Sequence, residues 1–164
     1  MMSFVVRNIQ ISVPLNVKLL RKQVAILMNL FEIERYSLSV ICLSKLRIKR
    51  MNKVYRNVEK PTDVLSFPNY HDIIPGQLPQ IETLIVDNNL GDIFLCPPVI
   101  KEQCLQDKMD FENSLPVYVA HGICHLLGYT HSTKEEWKLM FSKEKEILAA
   151  FTQETGIKCI PLTS

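Results

Sequence analysis

The sequence lacks what would place it in a membrane or in a disulfide-stapled class. No apolar run approaches the roughly 18 residues needed to span a bilayer, so no membrane partner is expected. The five cysteines, Cys42, Cys96, Cys104, Cys124 and Cys159, are odd in number, widely spaced and without a C-x-x-C pair. That excludes a regular disulfide framework and a cysteine-rich zinc site, and it favours a reducing compartment. Internal repeats and low-complexity linkers are missing. So are acids in the first 31 residues, where Arg7, Lys18, Arg21 and Lys22 are the only charges. Such a start has the character of an organellar transit peptide, whereas a secretory signal does not fit, because a long periodic segment follows without a small-residue cleavage site. The same segment reads as a strand (Phe4 to Ile9) and a helix (15–31), so it is expected to belong to the folded domain.

What is present is an ordinary globular composition: 164 residues, 47% hydrophobic and 22% charged. This suits one domain spanning 1–164 with a real core. Further along, Tyr36 to Leu43 reads as a strand, 45–57 as a helix and Val64 to Phe67 as a short strand closed by Pro68. Residues 68–89 form a long loop, a lid or an insertion. Leu90 to Cys96 is another strand, and a helix at 98–107 opens on two prolines. A second helix begins near Asn113 or Ser114 with Pro116 in its first turn. Ser132 and Glu135 offer a capping box for a last helix, 133–151, whose face of Trp137, Met140, Phe141, Leu148 and Phe151 reads as core. The order β-α-β-α-β-β-α-α-α predicts an α+β fold, a small mixed sheet flanked by helices.

Three of the four histidines lie in one eleven-residue segment, His121 to His131, at the spacing H-x3-H-x5-H. Composition alone gives that spacing with a chance of about 0.002. On a helix His121 and His125 share a face. Gly128 can end the helix in the left-handed conformation, so that His131 returns to the same point. Three imidazoles suit one zinc ion per chain with a fourth position open, the mark of a catalytic rather than a structural site. Cys124 is offset from that face and reads as core, and His71 as an ordinary loop histidine. The spacing also matches the metallopeptidase signature H-E-x-x-H-x-x-G-x-x-H, but Gly122 stands where the peptidase general base would be.

A basic block is the second signal. Residues 45–60 hold Lys45, Arg47, Lys49, Arg50, Lys53, Arg56 and Lys60 against Glu59 alone. The block carries +6 in a chain of net +2, so the rest is net acidic. A concentrated cationic face is the footprint of phosphate backbones, and Arg56, at the helix end, is placed to clamp a phosphate. A metal site beside it points to phosphodiester hydrolysis.

Met51-Asn52-Lys53-Val54-Tyr55-Arg56, Pro61 to Pro68 (PTDVLSFP), Leu90-Gly91-Asp92-Ile93 and the His121-to-His131 motif together resemble the YbeY family, in order and spacing, over nearly the whole chain. The Glu135-Glu136-Trp137 stretch resembles its animal members. The resemblance implies a single-strand-specific metallo-endoribonuclease acting in ribosomal RNA maturation and small-subunit quality control. Its substrate would be precursor ribosomal RNA and its partners small-subunit proteins. It further implies His121, His125 and His131 as zinc ligands and Arg56 and His121 as catalytic residues, with Asp63, Ser66 and Asp92 supporting the site or the fold. Lys45, Arg47, Lys49, Arg50, Lys53 and Arg56 are the expected RNA-binding set. Where bacterial members read G-Y-D-H, this chain has Gly128-Tyr129-Thr130-His131, a change that animal members share. That leaves the general base open among a second water, a phosphate oxygen, Asp63 and Asp92. Organellar ribosomes, and so the mitochondrion, are the implied location, with cytoplasm or nucleus as alternatives. Two other readings compete: a non-enzymatic, RNA-binding ribosome-assembly factor with a structural zinc, and a peptidase.

Overall fold

In the computed structural model, residues 2–81 and 88–163 are described. The long loop expected over 68–89 therefore lies partly outside the described residues, and its reading as a lid or insertion with it. The elements run β1 (Ser3–Asn8), α1 (Val17–Leu30), β2 (Ser37–Cys42), α2 (Lys45–Arg56), β3 (Val64–Pro68), β4 (Asn89–Leu95), α3 (Pro97–Asp107), α4 (Phe111–Leu126) and α5 (Lys134–Thr155). This is the expected α+β order. The sheet order is β1-β2-β4-β3; β1, β2 and β4 are parallel, and β3 runs antiparallel along one edge.

Period-2 alternation splits the sheet residues between two cores. Val6, Leu38, Val40, Ile93, Leu95 and Val64 join the larger cluster, with Leu20, Val24 and Leu27 of α1, Val119 and Ile123 of α4, and Leu148 and Phe151 of α5. Ile41, Phe94, Leu65 and Phe67 face a smaller cluster with Ile48 and Met51 of α2 and Val99 of α3. β1 and α1 are integral to the sheet and the main core, as expected from their patterning.

Helix α4 is the pivot. Asp110 caps it through Asn113 N–H (2.8 Å), and twelve of its sixteen residues are buried. It starts earlier than its sequence suggested, so Pro116 sits in its second turn rather than its first. Gly122 is a packing requirement: a Cβ there would stand 2.8 Å from Ile93 Cγ2 of β4. That close approach draws the helix onto the sheet beside the β3 edge. The capping box of α5 is also one residue later than expected, formed by Thr133 and Glu136 instead of Ser132 and Glu135. Of the face assigned to its core, Met140, Leu148 and Phe151 are buried, while Trp137 and Phe141 stack on each other at 5.0 Å, half-buried.

Candidate metal centre and active-site cleft

His121 and His125 leave α4 one turn apart, and their Nε2 atoms stand 3.1 Å from each other. The helix ends as its glycine requires. Leu127 is the C-cap, Gly128 takes φ +90°, and Gly128 and Tyr129 N–H donate to the carbonyls of His125 and Cys124 at 3.1 and 3.0 Å. This paired pattern is the Schellman motif. It turns the chain back and brings the His131 ring to 5.2 Å from that of His125 and 5.8 Å from that of His121. One ligand nitrogen from each histidine lies within 4.8 Å of the others.

The donor chemistry fits a metal ion. His125 Nδ1 is 3.0 Å from the Tyr129 carbonyl, which only accepts, so the proton sits on Nδ1 and the Nε2 lone pair faces inward. His121 Nδ1 meets Glu144 Oε1 at 3.1 Å and Thr163 Oγ1 at 3.2 Å, which fixes the same tautomer. Burial first, and then the neighbouring His121 and His131 rings, push His125 down to about 4 from its ordinary 6.5. It is therefore held neutral, the state a ligand requires.

Glu144 and Thr163 were invisible to sequence reasoning. Glu144 is fully buried on α5, and its second oxygen accepts from Thr163 N–H at 3.1 Å. A carboxylate behind a ligating imidazole orients the ring and raises its basicity. Glu136 stands near the third histidine, its carboxyl held below the usual range by the Thr130 hydroxyl, then by the Thr133 and Ser132 N–H groups and by His131. A negative charge is thus retained beside Thr130 and His131.

The trio opens into a cleft of about 600 Å³ whose other lining residues include Arg56, Thr62, Asp63, Ser66, Thr130 and Leu162. Arg56 reaches it because Asn52, buried in α2, donates to the Lys60 carbonyl (2.9 Å) and pins the chain leading to β3. Asp63 and Ser66 also come to the cleft. Asp92 does not: it lies on the opposite sheet face, paired with Phe67 and Ser39, and accepts from the Ser39 hydroxyl at 2.6 Å. In the basic block, Lys45 pairs with Glu102, and Lys53 with Glu59 at 3.1 Å. Among the described residues Arg47, Lys49, Arg50 and Arg56 form no ion pair.

A family model described as Endoribonuclease YbeY matches residues 5–152. The chain is 40% identical over 162 residues to the Homo sapiens protein named Endoribonuclease YbeY, covering 99% of this chain and 96% of that one. A protein of the same name from Acholeplasma laidlawii is 39% identical over 115 residues, covering 70% and 74%. A Thermotoga maritima protein solved in solution is similar in structure, with TM-score 0.53, 26% identity and 94% of each chain covered.

Proposed function

The chain belongs to the YbeY family, and from that premise we propose that it is an endoribonuclease. It hydrolyses phosphodiester bonds in single-stranded RNA with one zinc ion held by His121, His125 and His131. The observation that carries this reading is the three converging imidazoles opening into a cleft walled by Arg56. When bound, the ion would supply Lewis-acid activation of water and neutralise charge on phosphate.

The chain's own residues do the rest. Arg56 binds and orients the phosphate and balances the charge that grows as water attacks phosphorus and a P–O bond breaks. Asp63 is the one carboxylate among the described lining residues, and it takes the proton released by the attacking water and passes it to the departing ribose oxygen. Its Oδ1 accepts from Val64 N–H (2.7 Å), which holds the group in place. Asp92 supports the fold through Ser39. Lys45, Arg47, Lys49, Arg50 and Lys53 extend a cationic face for the strand beyond the cleft.

Maturation and quality control of small-subunit ribosomal RNA, with small-subunit proteins as partners, is the biological setting we assign; the protein named Endoribonuclease YbeY in Homo sapiens supports the nuclease part of it. The mitochondrion is the proposed location. Because β1 and α1 belong to the sheet and core, targeting must leave residues 3–30 in place. The assembly-factor reading is less favoured because the histidines face an open cleft rather than a closed shell. The peptidase reading is disfavoured by Gly122, whose Cα faces Ile93 of the sheet, so a glutamate there would meet β4.

The test is cleavage of matched single-stranded and duplex ribosomal RNA by wild type and His121→Ala, with zinc measured per chain. Selective cutting of the single strand by a metal-loaded wild type, lost with the metal in the variant, is expected. Intact RNA bound by zinc-loaded protein would hand the case to the assembly factor.

A further inference from the structure

The β3 edge offers the cleft one unusual position. Two bonds fix its hydrogen-bond alternation: Cys96 N–H to the Asp63 carbonyl (2.8 Å) and Asn69 N–H to the Leu90 carbonyl (2.9 Å). In an antiparallel pair, residues facing the partner alternate with residues facing away. Leu65 and Phe67 therefore bond to β4, and Val64, Ser66 and Pro68 turn their backbone groups to the open edge. Of those three, Val64 N–H is already taken by Asp63 Oδ1, and proline has no N–H. Ser66 alone keeps a backbone donor.

Its side chain is unpaired as well. Ser66 Oγ is buried and has no hydrogen-bond partner among the described residues, although the residue lines the cleft with the histidines and Arg56. A buried hydroxyl left unsatisfied costs about 1–3 kcal/mol, so an orphan here points to an absent acceptor.

We propose that Ser66 is a direct substrate-binding residue whose hydroxyl and backbone N–H donate to one non-bridging oxygen of the phosphate under attack. The inference rests on the endoribonuclease reading and adds a contact to it. An open strand edge beside a three-histidine site could instead dock an extended peptide, which pairs through repeated N–H and C=O groups. This edge, with a single free N–H, does not offer such a ladder. Two donors on one residue suit a small anionic oxygen, and Arg56 is then free for a neighbouring oxygen.

The test uses wild type, Ser66→Thr and Ser66→Ala, each with metal bound. The substrate is a single-stranded RNA with one cleavage position, prepared as the all-oxygen form and as each of the two phosphorothioate isomers at that phosphate. In one isomer sulfur, a poorer acceptor, replaces the oxygen that Ser66 holds. Wild type and Ser66→Thr should discriminate between the isomers, and the preference should persist when zinc is exchanged for another divalent ion. Ser66→Ala should cut the all-oxygen RNA about tenfold more slowly, the worth of one good hydrogen bond. It should also show a reduced isomer preference, the backbone N–H being retained, at a thermal midpoint no lower than that of wild type, because an unpartnered buried hydroxyl has been removed. An isomer ratio in Ser66→Ala equal to that of wild type overturns the assignment while leaving the nuclease reading intact. Wild type that cuts none of these RNAs, or that turns over an extended peptide, overturns both.

Discussion

Helices α4 and α2 both carry residues assigned to the reaction, and they are built on opposite plans. α4 buries twelve of sixteen residues and α2 two of twelve. On α4 every neighbour constrains the histidines: Ile93 against Gly122, the Tyr129 carbonyl on His125, Glu144 and Thr163 on His121. On α2 only Ile48 and Asn52 are buried, with Met51 packed beside them, and most of its cations project into solvent. Groups that must meet within hydrogen-bond distance sit on the packed helix. Groups that act through charge sit on the tolerant one, and Arg56, where α2 meets the cleft, joins the two plans.

The sharpest break of this contrast is acidification of the metal-free protein. The folded state holds His125 near 4 against an ordinary 6.5, so below about 6.5 the unfolded chain binds the extra proton. Stability is fully present above that pH and is lost as pH falls toward 4, by up to about 3 kcal/mol. Urea midpoints across that range should fall for wild type and much less for His125→Gln. Glu144→Gln should come next, weakening zinc binding about 10- to 100-fold in a chelator competition, because the ring loses its charged acceptor. Gly122→Ala should cost about 1–3 kcal/mol of unfolding free energy by overpacking against Ile93, measurable by denaturant titration. The smallest effect belongs to α2. Arg50→Ala should leave the melting temperature unchanged and reduce the salt slope of RNA affinity by about 1. A larger stability loss from Arg50→Ala than from Gly122→Ala would reverse the comparison.

The sequence made the α4 histidines legible because their spacing is local: the helical turn and the glycine C-cap are properties of eleven consecutive residues. The strand and helix order was legible for the same reason. The helix starts were less so. Asn113 or Ser114 read as the start of α4, although Asp110 caps it, and Ser132-Thr133 offers two capping registers one residue apart. Tertiary roles were not legible. Glu144 lies 23 residues from His121 and Thr163 lies 42 away, and neither stands in a recognisable motif. Asp92 and Asp63 look equivalent in sequence, yet Asp92 lies within β4 on the face opposite the cleft, bonded to Ser39, while Asp63 lies just before β3 and lines the cleft, a distinction only the fold provides.

The most direct measurement of the central claim is a zinc titration of metal-free protein, with RNA cleavage followed at each addition. Cleavage should rise linearly and stop at about one ion per chain, with His125→Ala binding no ion in that range and cutting nothing. Cleavage by the metal-free protein, or a plateau of bound zinc with the RNA intact, would contradict it.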